Sequence, residues 1–376
     1  MLAMQHYNSC LAAPLPRSNQ TYGVEGLQAI AWRKNITTER SPYSNPTAAG
    51  LSMTLGILFN IVALVILAKA YARLRRRSKA TFLLFASSLV ATDFAGHVIP
   101  GALVLRLYLT GDTSGPLVCG PTDAPCQFLG GSMVFFGLCP LFMGCAMAAE
   151  RCLGVTRPLL HASLVSTART KMALAFIWLL ALFVALLPFF QLGAYTYQYP
   201  WTWCFIHVLG ETTETDVAFV MLFSGLGLVS LAVALVCNTI SGVTLVRARL
   251  RKSKTCHRRS AKSHDIEMVA QLVGIMTTSC ICWSPLLIFG LMSVLRSHSG
   301  LIGNDQDHYR RLIVMGVRLA SWNQILDPWV YILLRQAVLR KIYCITKSRA
   351  SFKNSTFHRW EFSSFQGSEK NTVNMI

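Results

Sequence analysis

The stretch RLASWNQILDPWVYILL, residues 318–334, is otherwise almost wholly apolar, yet it carries Arg318 near one end and Asp327 near its middle. An ion at hydrocarbon depth costs at least ~2.5–3.5 kcal/mol on insertion scales, so it is kept only with a partner or a task. On a helix, nine residues at ~1.5 Å set Asp327 ~13.5 Å deeper, and nine steps of ~100° turn it to the opposite face. The two cannot pair. Two acids in other apolar runs lie at other depths: Asp93 mid-run and Glu150 at the far end of its run. Two roles fit Arg318. Facing inward, its guanidinium suits an anionic ligand, a carboxylate above all, because the planar fork donates two parallel hydrogen bonds. Facing outward, it snorkels to headgroups or caps carbonyls.

The elements that must position these residues are read from composition. Of 376 residues, 53% are hydrophobic and 14% charged, against roughly 25% charged in soluble domains. Seven apolar runs, at about 47–70, 80–109, 127–153, 171–192, 216–246, 265–296 and 309–335, reach the ~20 residues that cross a bilayer as helix. Backbone groups in lipid must be satisfied within the segment, so the fold class is an all-α bundle of seven membrane-spanning helices. The formal charge of +19 does not imply nucleic acid, because the basic residues sit in short segments between the runs.

Those segments set the orientation. YARLRRRSK carries five Lys and Arg, residues 247–262 carry eight and the tail from Arg335 eight more, whereas 110–125, 193–215 and 297–308 carry none. The positive-inside rule puts the N-terminus outside and the C-terminus in the cytoplasm. Residues 1–46 form an extracellular tail, 47–335 the bundle, and 336–376 a short amphipathic helix and cytoplasmic tail. The outer tail has no apolar h-region, so no cleaved signal is expected. It holds two sequons, at Asn19 and Asn35, on the side that passes through the oxidising lumen. Cys126 and Cys204 are external, where a disulfide persists, as are Cys10 and Cys119. Cys344 lies just past the last span among basic residues, which suits palmitoylation or an unmodified interfacial thiol equally. No Cys/His spacing reads as a metal site, and no cofactor is expected.

Ordered motifs carry a resemblance. Asn60 falls in GILFN of the first span, Asp93 in SSLVATDFAG of the second, and Glu150-Arg151-Cys152 closes the third. CWSP, with Trp283 and Pro285, lies in the sixth, and Asp327-Pro328-Trp329-Val330-Tyr331 ends the seventh. Together these are similar to rhodopsin-like G-protein-coupled receptors. The Glu-Arg-Cys and Asp-Pro-Trp-Val-Tyr variants, YPWTWCF in the outer loop and RLASWNQILDPWVY resemble the prostanoid branch. The resemblance covers about residues 48–345.

The resemblance implies a plasma-membrane receptor, not an enzyme, for a prostanoid lipid carboxylic acid. Prostaglandin E2 is the leading ligand and prostaglandin F2α the alternative. It also implies a Gq-type heterotrimeric G protein and calcium release. Arg318 would take the ligand carboxylate, joined by Tyr108 of LRLY and Thr202 of WTWC. Trp322, one turn below Arg318, would line the acyl chamber or pack in the core, and Met133 is an apolar lining candidate. Arg151 would be restrained by Glu150 and by Asp265 at the start of the sixth span, then released toward the G protein. Trp283 and Pro285 would form the pivot of the sixth span. Asn60, Asp93 and Asp327 would form a mid-membrane polar network, and Asp327 and Tyr331 would also take part in activation and G-protein coupling. Pro140 stands where the superfamily usually adds a serine, which favours water over sodium there.

Two other classes compete. An organic-anion transporter could also use a buried arginine, but the odd span count and the lack of an inverted repeat argue against it. An amine receptor needs an acid eighteen residues before Arg151, where Met133 stands.

Overall fold

The computed structural model describes residues 46–74, 80–110, 124–199, 202–252, 261–301 and 303–333. Asn19, Asn35, Cys10, Cys119, Cys344 and the segment expected to form a helix after the last span lie outside these residues. So do the side chains of Asp265 and Tyr331.

Seven long helices answer the seven apolar runs: α1 (Pro46–Leu74), α2 (Ala80–Thr110), α3 (Ala124–Thr156), α5 (Thr167–Leu186), α6 (Glu214–Lys252), α7 (Ala261–His298) and α8 (Gln306–Leu333). A short α4 (Pro158–Leu164) joins α3 to α5. Most of the long helices overshoot the apolar runs at their ends. Past the bilayer edge polar residues continue the same hydrogen-bond ladder, and nothing in apolar patterning marks where it stops. The exception is the 171–192 run: Pro188 follows α5, and residues Leu187–Phe190 tighten into a 3-10 turn.

Among the described residues, six helices are long and apolar enough to cross a membrane by composition alone. The seventh, α8, is diluted by Arg310, Arg311, Arg318, Asn323, Gln324 and Asp327. These are the polar groups whose retention at depth calls for a reason.

The helices close into a ring. α1 packs on α2, α2 on α3, α3 on α6, α6 on α7, α7 on α8, and α8 returns to α1. α3 is the hub, also touching α4 and α5, and its buried residues run from Cys126 to Ala148. The outer face of α5 is apolar and open, with Phe176, Leu179 and Phe183 all exposed, as suits a lipid-facing surface. On the α7–α8 seam, a Cβ on Gly316 would lie 2.8 Å from the Leu286 Cα, so this close approach of backbones requires glycine.

A feature invisible in the apolar pattern closes the outer end. β1 (Tyr195–Gln198) and β2 (Trp203–Ile206) pair antiparallel, with Tyr195 opposite Ile206 and Gln198 opposite Trp203. The Cys126–Cys204 disulfide, with Cα atoms 5.4 Å apart, ties β2 to the head of α3. Tyr195 is buried, its hydroxyl donates to the Ala185 carbonyl (2.8 Å), and its ring fills the space that Gly130 leaves. Burial pushes that phenol above its usual range. At the other edge, Asp216 Oδ2 accepts from the Thr213 amide (2.9 Å) and hydroxyl (2.7 Å) and lies 3.2 Å from His207 Nδ1, joining the hairpin to the start of α6.

Candidate functional site

A cavity of about 470 Å³ opens beneath the hairpin, between α1, α2, α3, α6, α7 and α8. That size suits a lipid or drug-sized ligand. Trp203 and Phe205 of β2 roof it, Met133, Phe136 and Gly137 of α3 form one wall, and Trp283 sits toward its base. Arg318 and Tyr108 line the same space. The two residues come from different helices, α8 and α2. A guanidinium and a phenol in a mainly apolar chamber can together hold one carboxylate in a low dielectric, where each hydrogen bond is stronger than in water.

Trp322 also lines the cavity but is 44% exposed, which places it at the margin between α8 and lipid rather than in the core. Thr202 is not among the lining residues; its hydroxyl is buried without a hydrogen-bond partner among the described residues.

The cavity floor holds two polar residues that apolar patterning does not reveal, His97 and Gln324. Both are buried. His97 fits only because residue 56 is glycine: a Cβ there would fall within the imidazole. The His97 Nε2 is buried against α1 and has no partner among the described residues. A lone histidine in an apolar run gives no sign of this, since the signal lies in its distant neighbours.

Below the floor lies the polar network. Asn60, Asp93 and Asp327 are all buried, the two carboxyls interact electrostatically, and Asn323 Nδ2 donates to Asp327 Oδ2 (2.8 Å). Both oxygens of Asp93 and Oδ1 of Asp327 have no protein partner among the described residues. Such groups bind ordered water when buried. Asp327 and Trp283 border a second, small cavity of about 30 Å³ beside Pro140. Arg318 and Asp327 thus serve different chambers of one helix. Trp283 borders both chambers, and its ring lies against Gly137, where a Cβ would come within 3.1 Å. Pro285, two residues on, lies inside α7.

At the cytoplasmic end, Glu150 Oε1 accepts from the Thr81 hydroxyl (3.0 Å), and His161 Nε2 of α4 lies 3.7 Å away. Sequence reasoning paired Glu150 with its neighbour Arg151 and missed both of these partners, which come from α2 and α4. Arg151 is half-buried beside it.

This arrangement has known counterparts. The pattern of the 7 transmembrane receptor (rhodopsin family) matches residues 59–331. The chain belongs to that family. The receptor is 47% identical to the prostaglandin E2 receptor EP1 subtype of Canis lupus familiaris, over 89% of this chain and 91% of the relative. It is 46% identical to the Homo sapiens EP1 subtype (90% and 94% covered) and 43% to the Homo sapiens prostaglandin F2-alpha receptor (91% and 92% covered). Its fold matches squid rhodopsin with a TM-score of 0.62 at 17% identity, covering 78% of this chain and 82% of that one. The receptor is a multi-pass protein of the plasma membrane, and family membership sets aside the transporter alternative. Among its described residues, no three His, Cys, Asp or Glu are placed to hold a metal ion.

Proposed function

We propose that this receptor binds a prostanoid, prostaglandin E2 in preference to F2α, and signals through a Gq-type G protein to release calcium. The observation that carries the ligand class is the joint presence of Arg318 and Tyr108 in one apolar chamber. A prostanoid offers the complement: one carboxylate for the guanidinium and phenol, and two apolar chains for the α3 and α7 walls. Thr202, in the outer loop just before β2, is the third candidate for the carboxylate end. Met133 and Trp322 shape the chains' path.

The ring and chain substituents would fall near His97 and Gln324, whose polar atoms are suited to read a hydroxyl or ketone. Binding that rearranges Trp283, next to Pro285, would reach the Asp93–Asp327 network and then Arg151 at the cytoplasmic end. The relatives' names support prostaglandin E2 over F2α; the G-protein class rests on the same kinship.

The test is a panel of prostaglandins E2, F2α and D2 on cells expressing the receptor, with calcium and cAMP read in parallel. The proposal expects E2 to raise calcium at the lowest concentration. A cAMP response without calcium would overturn the coupling, and no response to any of the three would overturn the ligand class.

A further inference from the structure

Of the four prolines inside the described helices, two leave carbonyls that side chains of other helices take up. Proline has no N–H, so the carbonyl four residues before it loses its i→i−4 bond. Pro328 in α8 does this to Gln324, and Pro140 in α3 does it to Phe136. Both freed carbonyls are taken up by side chains of other helices. Asn60 Nδ2 of α1 donates to the Gln324 carbonyl (3.1 Å), and Gln324 Nε2 donates to the Phe136 carbonyl (3.0 Å). A single residue therefore joins α1, α3 and α8 directly beneath the ligand cavity, which Phe136, His97 and Gln324 all line. Gly96 makes room for it: a Cβ there would sit 3.2 Å from Phe136 and 3.4 Å from Gln324 Nε2.

We propose that the Gln324 side chain is a latch that holds α8 to α3 through the carbonyl freed by Pro140, and that release of this latch by ligand at the cavity floor is one step in receptor activation. The alternative, a glutamine that merely satisfies a buried carbonyl, would affect stability alone. A latch has a further property. It lines the cavity on one side and is bonded to the backbone of the hub helix on the other, so a ligand hydroxyl that draws the amide away loosens α3 from α8. The lost bond leaves a buried carbonyl without a donor, which is what makes the latched arrangement favoured until a ligand compensates it.

The dependence on Pro140 supplies the test, because alanine at 140 restores an N–H to the Phe136 carbonyl. Gln324→Leu, Pro140→Ala and the double variant are compared for ligand-independent nucleotide exchange on a panel of purified heterotrimeric G proteins, normalised to surface receptor. The melting midpoint of each purified receptor is taken in parallel. Gln324→Leu should raise exchange several-fold, Pro140→Ala should raise it less, and the double should not exceed Gln324→Leu alone. In melting, Gln324→Leu should cost stability in the parent and much less in the Pro140→Ala background. Fold-changes in exchange that multiply independently, or a Gln324→Leu receptor that melts lower with unchanged exchange, would overturn the latch. Should Gln324→Leu fail to reach the surface, Pro140→Ala decides alone, and unchanged exchange in it refutes the proposal. These readouts need no ligand, so failure of the prostanoid reading would leave them standing, and the melting cycle stands apart from G-protein choice as well.

Discussion

Replacing Gly56 by alanine tests the cavity floor through a residue that touches no ligand. The new methyl would fall within the His97 ring, so the imidazole must swing away from α1 toward the cavity. Overpacking of this kind costs ~1–3 kcal/mol. Against this, alanine gains ~1 kcal/mol over glycine within a helix. The net loss is roughly 0–2 kcal/mol, with agonist affinity falling because the displaced ring narrows the chamber. The assay is thermal inactivation of agonist binding in detergent, run beside saturation binding. The companion is the same change in a His97→Ala receptor. There the clash is gone and the helix gain remains, so Gly56→Ala should be neutral or stabilising. Equal damage in both backgrounds would refute the steric argument and with it the role given to the glycine.

Three further outcomes follow from other parts of the structure. Cys126→Ser and Cys204→Ser should lose surface expression or ligand binding to the same degree, since either frees the hairpin that roofs the cavity; loss of a native disulfide costs ~2–5 kcal/mol in small domains, and normal binding by either variant would contradict the roof. Thr81→Val should raise ligand-independent exchange modestly by releasing Glu150 from α2, while agonist affinity stays within about twofold; unchanged exchange would reduce this hydrogen bond to packing. Arg151→Ala should bind agonist normally and signal poorly, and full signalling would remove that residue from the coupling machinery.

Much of the fold is legible in composition because lipid permits few solutions. Seven apolar runs and an asymmetric scatter of Lys and Arg lead to one bundle in one orientation. α8 shows the limit of hydropathy: its arginines and its Asn-Gln-Asp set lower its apolar score, so its motif rather than its average marks it as the seventh span. The 195–206 hairpin is missed because its strands are only four residues long and are held by a disulfide, neither of which apolar periodicity records.

Within the site, Arg318 is conspicuous as a charge in an apolar run, and Tyr108 and Met133 line the same cavity. His97, Gln324, Thr81 and His161 are not conspicuous, because each acquires its role from a residue on another helix. The consequences of proline are partly readable. That Phe136 and Gln324 lose their helical donors follows from Pro140 and Pro328, but which side chain recaptures each carbonyl depends on how the helices pack.

The central claim is that Arg318 pairs with the ligand carboxylate. Removing one partner of such a pair in a desolvated site costs ~2–5 kcal/mol, which at ~1.4 kcal/mol per decade is on the order of 30-fold to several thousand-fold in affinity. The direct measurement is competition binding of prostaglandin E2 and its methyl ester to wild type, Arg318→Gln and Arg318→Lys, each with surface expression confirmed. The free acid should lose binding on Arg318→Gln and recover only in part with lysine, whose point charge cannot reproduce the two-pronged contact. The ester should bind wild type weakly and lose far less. Equal losses for acid and ester would contradict the account and make Arg318 a structural residue.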